Sequence, residues 1–408
     1  MTTKKFPVLV GGKPFTVADQ DTSNPEWMTA LAQEHRRGTS FCRCTTSGHL
    51  ALVIRLYNRG SENEHYGLAK AKGTGLDHDP DCRFFGEGSD DGDDQDALPA
   101  FESREDGTTR AHLAFSLQLA GPLEPSDTSA APGGKSGKSR SRASETAMLF
   151  RLWRAAGLNV YRGHGRPWFK AAYAALKAAE KIVIGRKGET LADHLLIAAS
   201  PKDRLVSQHN AAVLARIEAK PSRVLVLGRM RLAGVDGKLL PVYDFGSLPK
   251  ALMPALMVDN LMKRRPLVRN VLESDTGHVV VMACIEPVGA TWWKVLSMPV
   301  MPTSPNFIPA ESSYEIEFEN YLIDQGRQFI KPIVVDELGD NDDRPDYILL
   351  DTFPRVRCEV WGMQTPEYLE GKAERMASYE KKGQRLVSWS ANPREPFPIL
   401  PAANANKE

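Results

Sequence analysis

Hydrophobic and polar positions change their spacing along the chain, and these changes divide the sequence into segments. Over residues 1–120 the apolar positions form short runs, such as LALVIRLY at 50–57 and HLAFSLQL at 112–119, between clusters of Gly, Asn and Asp. Short runs that alternate or stay apolar are typical of β-strands. We therefore predict a β-rich module over this segment.

From Ser144 onward the spacing becomes helical. The stretch SETAMLFRLWRAAG has Ser144 as a candidate N-cap and Gly157 as a stop signal, and it is followed by RPWFKAAYAALKAAEKI and ETLADHLLIAA. Basic residues lie at the joints of these three predicted helices (Arg162, Arg166, Lys170, Arg186 and Lys187). The pattern predicts a helix-turn-helix-like segment over 145–221, which serves either DNA contact or plain packing.

The second half of the chain predicts two mixed modules. Residues 222–305 contain the strand-like stretches SRVLVLGRMRLAG, KLLPVYDFG, HVVVMACIEPVG and WWKVLSMPVM around one helix, KALMPALMVDNLMKR, and carry no chemical motif. Residues 311–402 predict the order helix, strand, hairpin, helix, strand. The expected fold class is therefore a mixed, multidomain α+β protein.

Two polar stretches interrupt these modules. The run Glu87–Asp106 holds nine carboxylates and Arg104 as its one cation, which favours a solvated acidic insertion. Residues 121–144 are rich in Gly, Pro and Ser, which predicts a flexible linker. Its GGKSGKS is not a phosphate-binding loop, because Pro132 stands where that loop requires glycine and no strand precedes it.

Composition narrows the class of protein. The 408 residues carry 52 Lys+Arg and 51 Asp+Glu, a formal net charge of +1. This near-zero net charge does not argue against a nucleic-acid partner, since the acidic insertion offsets a locally basic linker (Lys135, Lys138, Arg140 and Arg142). We expect no membrane partner and a cytoplasmic location, because the chain lacks an apolar run of about 18 residues and a secretory signal.

Four residues of metal-binding types cluster in the N-terminal segment. Cys-x-Cys and His-x₃-Cys pairs supply three thiolates and one imidazole, the ligand set of a closed structural zinc site (Cys42, Cys44, His78 and Cys82). His49 and His65 are possible substitutes for the fourth ligand, and two unrelated pairs in a reducing compartment are the alternative. The remaining cysteines, Cys284 and Cys358, lie in apolar runs and are expected to be buried hydrophobes.

The C-terminal segment carries Pro345-Asp346 and, after twelve intervening residues, Glu359-Val360-Trp361. With the predicted order of elements, these residues resemble the restriction-endonuclease-like nuclease superfamily and its PD-(D/E)XK motif. The resemblance implies hydrolysis of DNA phosphodiesters with magnesium or manganese, held by Asp346 and Glu359. Glu315, on the opening helix, is the third catalytic carboxylate that we assign, since it could orient a water or a second ion.

One position departs from that motif. Trp361 stands where the superfamily has its lysine, so Lys372 on the following helix is the candidate replacement. Tyr368 and Tyr379 share its helix face. If Lys372 does not reach the carboxylates, the domain is expected to be a decayed nuclease that binds nucleic acid without cutting it.

A second resemblance covers nearly the whole chain. Cys42-Arg-Cys44, GTGLDHDPDC (73–82), LWRAAGLNVY (152–161) and EVWGMQTPEYLEGKAER (359–375) are similar to a bacterial family of unknown function, family 1173. That resemblance implies a mobile-element context with DNA, and other proteins of such elements, as partners. Three functions follow as hypotheses: a nuclease, a non-catalytic nucleic-acid-binding or assembly factor, and a zinc-stapled module that contacts another protein. The oligomeric state stays open.

Overall fold

The computed structural model describes most of the chain, and every structural statement below concerns these residues: 4–35, 37–45, 48–57, 64–71, 74–85, 97–98, 100–104, 106–119, 139–140, 142–185, 188–200, 202–231, 239–243, 248–289, 291–333 and 344–404. The predicted acidic insertion and linker, with Lys135 and Lys138, lie largely outside them, as do Arg186 and Lys187. Within these ranges, no helix has both the length and the apolar content that crossing a membrane requires.

The described residues form a mixed α+β fold. Its helices are α1 Pro25–Glu34, α2 Glu145–Ala155, α3 Trp168–Ala179, α4 Arg204–Ala219, α5 Ala255–Arg264, α6 Pro266–Ser274, α7 Ser313–Asp324 and α8 Pro366–Lys381. Its strands are β1 Val8–Val10, β2 Lys13–Phe15, β3 Ser40–Thr45, β4 Gly48–Tyr57, β5 His65–Lys70, β6 Ala97–Leu98, β7 Phe101–Ser103, β8 Thr109–Ala111, β9 Ser139–Arg140, β10 Val160–Tyr161, β11 Ile182–Val183, β12 Leu195–Ile197, β13 Val224–Arg229, β14 Ala251–Leu252, β15 His278–Val288, β16 Trp292–Ser297, β17 Val300–Thr303, β18 Phe329–Ile330, β19 Tyr347–Leu349, β20 Val356–Trp361 and β21 Arg385–Ser390.

The N-terminal module is an antiparallel sheet in the order β2-β1-β3-β4-β5, with α1 packed against it. The strand predicted over 50–57 is confirmed as β4. The strand predicted over 112–119 is wrong, because this stretch makes only single-residue bridges, to Ala143 and Ser222. Its apolar residues pack instead against the core of the helical region, where Leu117 is buried.

The first predicted helix is confirmed. In α2 the Ser144 side chain accepts a hydrogen bond from the backbone N–H of Ala147, and the predicted apolar stripe is fully buried (Met148, Leu149, Leu152 and Trp153). The second prediction is α3, and the two helices pack together around one apolar core. An N-cap followed by a stripe at helical spacing is therefore a reliable signal here.

The third predicted helix is wrong, and the helix-turn-helix-like interpretation fails with it. ETLADHLLIAA forms a short 3-10 turn at Leu191–His194 and then β12, which pairs in parallel with β13. A short apolar run cannot be assigned to helix or strand by periodicity alone, and here burial on both faces of a sheet decides for strand. Since β12 and β13 pair, one sheet spans the predicted boundary at residue 221.

The C-terminal sheet has the order β10-β18-β19-β20-β21, with α7 before β18 and α8 connecting β20 to its parallel neighbour β21. The predicted order of elements is present, and β10, from outside the predicted segment, adds an edge strand. Register pairs Tyr347 with Cys358 and Ile348 with Arg357. Paired residues share a face, so Tyr347 and Cys358 point toward α7, while Ile348 and Arg357 point to the opposite face.

Candidate metal centre and carboxylate cluster

The predicted cysteine and histidine ligands converge in the N-terminal module. Cys42 and Cys44 are two residues apart on β3, so their side chains share a face. His78 and Cys82 follow a 3-10 turn at Gly75–Asp77, and we call the turn and the loop after it, residues 75–85, the zinc loop. One ligand atom from each residue lies within 4.8 Å of all the others, and all four side chains are buried. This cysteine–histidine cluster is the one such ligand group among the described residues.

The distances within the cluster match a tetrahedral ion. Cys42 Sγ and Cys82 Sγ are 3.7 Å apart, and His78 Nδ1 lies 3.3 Å from Cys44 Sγ and 3.7 Å from Cys82 Sγ. Zinc bonds of about 2.3 Å to sulfur and about 2.0 Å to nitrogen give tetrahedral edges of roughly 3.5–3.8 Å. The residues therefore fit a metal such as zinc in a closed site.

The predicted substitutes for the fourth ligand lie elsewhere. His49 has its ring beside Phe41, and His65 stacks on Tyr57 with ring centroids 5.5 Å apart. His78 is fully buried, and its Nε2 has no hydrogen-bond partner among the described residues. Its Nδ1 is thus the nitrogen that faces the sulfur atoms.

The thiol groups share protons in a way that favours a thiolate. Hydrogen bonds from Cys42 and Cys82 lower the pKa of Cys44, and the same contact raises the pKa of Cys42 to about 12. The backbone N–H of Asp79 also donates to Cys44 Sγ at 3.3 Å. Because thiolates are the form that binds metal, the lowered pKa of Cys44 favours its metal-binding form.

The zinc loop also docks the N-terminal module onto the C-terminal sheet. Asp77, next to the ligand His78, lies 3.3 Å from the buried guanidinium of Arg357 on β20. Farther along the loop, Phe85 packs with Ile330 and Ile348 on the same face of that sheet. A metal that fixes the loop would therefore also fix this contact between the two parts of the chain.

Lys331, which the sequence analysis did not single out, joins two of the predicted catalytic carboxylates. Its Nζ donates to Glu315 Oε2 at 2.7 Å and lies 3.5 Å from Asp346 Oδ1. Lys331 is 3% exposed, and Glu315 comes from the first turn of α7. A lysine inside the apolar stretch FIKPIVV was the only sequence signal, since a buried lysine requires an anionic partner.

Asp346 immediately precedes β19, and Glu359 lies on the neighbouring strand β20. Continuing the register from Tyr347–Cys358 places Asp346 opposite Glu359, and Asp346 Oδ2 accepts from the backbone N–H of Val360 at 2.7 Å. Glu359 is 1% exposed, and its oxygens contact the Tyr379 hydroxyl at 2.6 Å and Arg375 at 3.3 Å. The pair therefore has a defined geometry, held by α8 and by the backbone.

Burial dominates the electrostatics of these carboxylates. It raises the pKa of Glu315 to about 7, against the charge of Lys331, and the pKa of Glu359 to about 7, with the charge of Asp346 adding to the effect. Burial also raises the pKa of Glu319, one turn after Glu315, to about 8. The Ser304 hydroxyl partly offsets this rise in the Glu319 pKa, although neither Glu319 oxygen has a hydrogen bond of good geometry among the described residues.

Lys372 is not brought together with the predicted catalytic carboxylates. Its Nζ donates to Ser390 Oγ at 3.2 Å and lies 5.2 Å from the ring centroid of Trp361. Arg375, three residues farther along α8, makes the contact with Glu359. The α8 cation beside the carboxylates is therefore Arg375. The sequence did not distinguish it from Lys372, because the two residues are three positions apart and lie on the same side of α8.

The fit of a magnesium ion can be judged from the oxygens present. Glu315, Asp346 and Glu359 do not place three ligand oxygens within 4.8 Å of one another, unlike the cysteine–histidine cluster. Magnesium, however, usually binds one or two protein carboxylates and completes its shell with water and substrate phosphate. Asp346 and Glu359 offer the right donor chemistry for that mode.

Comparison with known proteins gives a family and no activity. The profile of the family described as "Protein of unknown function (DUF1173)" matches residues 15–391, so the chain belongs to this family. No curated protein matches the chain significantly.

Proposed function

We propose that this DUF1173 family member is a metal-dependent DNA endonuclease whose phosphodiesterase site is built on the C-terminal sheet. The supporting observation is the pair of Asp346, immediately before β19, and Glu359, on β20, with Lys331 beside the first carboxylate and Arg375 beside the second. Phosphodiester hydrolysis requires hard oxygen ligands beside cations that offset charge on the phosphate. This pair supplies both.

Each residue then has a role. Asp346 and Glu359 would hold magnesium or manganese, and Arg375 would stabilise negative charge on the phosphate. Lys331 is a positioning residue, since it fixes Glu315 and Asp346 relative to each other. When bound, the divalent ion would act as a Lewis acid and lower the pKa of a bound water.

Charge balance supports a divalent ion. Glu315, Glu319, Asp346 and Glu359 are four carboxylates, and the cations in direct contact with them among the described residues are Lys331 and Arg375. Burial raises the pKa of three of these carboxylates, and the charge of a neighbouring carboxylate adds to the effect at each of them. A bound divalent cation would favour their ionised form.

Cleavage of plasmid and single-stranded DNA with Mg²⁺ or Mn²⁺ tests the proposal. Asp346→Asn should lower the initial rate by about 100-fold or more, whereas the matched change Asp324→Asn, at the exposed end of α7, should leave it unchanged. Equal rates for wild type and Asp346→Asn, in preparations with the same zinc content, would contradict the enzymatic proposal.

One observation favours the second candidate, a nucleic-acid-binding or assembly factor whose nuclease-like domain has decayed. Trp361 is buried at the position of the motif lysine, and Lys372 contacts Ser390 instead of a carboxylate. This candidate predicts retention of DNA with a steep salt dependence and no cleavage. Cleavage by wild type that is lost in Asp346→Asn would exclude it.

The proposal assigns the cysteine–histidine cluster a structural zinc, because four protein ligands leave no open position for chemistry. It also includes a cytoplasmic setting within a mobile element, supported by five free thiols and by the resemblance stated above. DNA and other proteins of that element are the proposed partners.

A further inference from the structure

A cavity of about 550 Å³ lies where three parts of the chain meet, and none of the functions above uses it. The zinc loop contributes Arg83 and Phe85, the β7–β8 turn contributes Arg104 and Thr109, and the C-terminal halves of α2 and α3 form another wall. Ile330 of β18 also lines it. We call this space the basic cavity.

The charge of its lining is strongly one-sided. Among the described residues, six lining side chains are cationic (Arg83, Arg104, Arg151, Arg154, Lys177 and Lys181), and one, Glu180, is acidic. Glu180 is engaged by Lys177 at 2.8 and 3.0 Å. Cations in the last turn of a helix complement its dipole, which accounts for Arg154 and Lys177 but not for the other four.

Two of the guanidinium groups are held in place by the protein. Arg83 lies 4.6 Å from the ring centroid of Phe84 and donates to Gln20 Oε1, and its buried Nε finds no acceptor among the described residues. Arg151 donates to Thr109 Oγ1 at 2.8 Å and lies over the ring of Phe101. Positioned guanidinium groups that line one cavity suit an anion with several oxygens.

We infer that the basic cavity binds phosphate groups, as found in a nucleotide or in a nucleic-acid strand. Phosphate presents several acceptor oxygens and up to two negative charges, which matches the fixed donors and the excess positive charge of the lining. Small apolar side chains on the wall, Ala155, Ala156 and Ala174, leave room for a less polar part of the same ligand.

The cavity lies on the sheet face that also carries the carboxylate pair. Ile330 pairs with Ile348, and Ile348 pairs with Arg357, which shares its face with Glu359 two residues along β20. Two strand spacings separate Ile330 from Arg357, roughly 10 Å. Phosphate binding in the cavity does not depend on cleavage, so it stands even if the nuclease proposal fails.

Calorimetric titration of the full, zinc-loaded chain with inorganic pyrophosphate, without divalent metal beyond the zinc, tests the inference. We expect saturable binding that Arg104→Gln and Lys181→Gln each weaken by about 10-fold, since each removes one exposed lining cation. The matched changes Arg264→Gln and Lys263→Gln, on exposed residues of α5, should leave the affinity unchanged.

Competition then identifies the source of the phosphate. A nucleoside triphosphate that displaces pyrophosphate indicates a nucleotide, and an oligonucleotide that displaces it indicates a strand; both outcomes support the inference. It is overturned if pyrophosphate binding does not saturate at millimolar concentration, or if the α5 variants weaken it as much as the cavity variants do.

Discussion

The cysteine–histidine cluster and the carboxylate cluster differ in how closely their ligand atoms converge and in the residues that contact them. In the first, three sulfur atoms and one imidazole nitrogen converge within 4.8 Å of one another. In the second, Glu315, Asp346 and Glu359 stay farther apart, and Lys331 and Arg375 contact them. Arg357, which meets the zinc loop through Asp77, is two residues from Glu359, so the two clusters are close neighbours in the fold.

This difference between the two clusters indicates that one has a structural role and the other a functional role. A closed set of soft ligands suits an ion that stays in place and holds a fold together. Carboxylates balanced by protein cations suit a site that exchanges ions or substrate, because the cations limit the energetic cost when nothing is bound. We therefore expect the cysteine–histidine cluster to control stability and the carboxylate cluster to control activity.

The largest effect is expected from removing a ligand of the first cluster. Cys82→Ala should destabilise the N-terminal module by about 5 kcal/mol or more, because structural zinc contributes folding free energy directly. Denaturation followed by fluorescence, with hydrogen exchange to localise the loss around Trp27, measures it. The control Cys284→Ala, in a different core, should keep the zinc loop protected; equal loss of protection in both variants would argue against a metal role.

Next in size is the loss of the cation between two carboxylates. Lys331→Met should lower the free energy of unfolding by about 3–5 kcal/mol, because it leaves Glu315 buried without its partner. Chemical denaturation at pH 7 measures the change, with the exposed Lys263→Met on α5 as control. A change below about 1 kcal/mol would mean that Lys331 does not balance these charges.

Glu319 should make stability depend on pH. Its pKa is raised from 4.5 to about 8, so its contribution is fully present below about pH 4.5 and is lost as the pH rises toward 8. Glu319→Gln should therefore unfold similarly to wild type at pH 4.5 and be more stable by roughly 2–4 kcal/mol at pH 8. Urea denaturation across this range checks it, with the exposed Glu370→Gln as control; parallel pH profiles for Glu319→Gln and wild type would contradict the argument.

The last prediction distinguishes the roles of two cations on α8, Arg375 and Lys372. If the nuclease proposal holds, Arg375→Gln should slow DNA cleavage by about 100-fold, because Arg375 contacts Glu359, whereas Lys372→Gln should slow it less than about 3-fold. Initial rates at saturating Mg²⁺ decide between them. The reverse ranking would restore Lys372 as the replacement for the motif lysine.

Sequence reasoning reached some of these features and missed others for physical reasons. The N-cap at Ser144 and the cysteine–histidine spacing are local patterns, so α2 and the ligand group could be predicted from short stretches. The strand β12 could not be predicted, because a short apolar run such as LLI is compatible with a buried helix or a buried strand. Only its pairing with β13 decides for strand. Lys331 and Arg375 acquire their carboxylate partners only through tertiary packing of α7 and α8 on the sheet.

The most direct test of the difference between the two clusters is the zinc content of the purified chain. We expect one zinc per chain in wild type, near zero in Cys82→Ala, and an unchanged value in Asp346→Asn and Glu359→Gln. Zinc retained by Cys82→Ala, or lost from the carboxylate variants, would contradict the account.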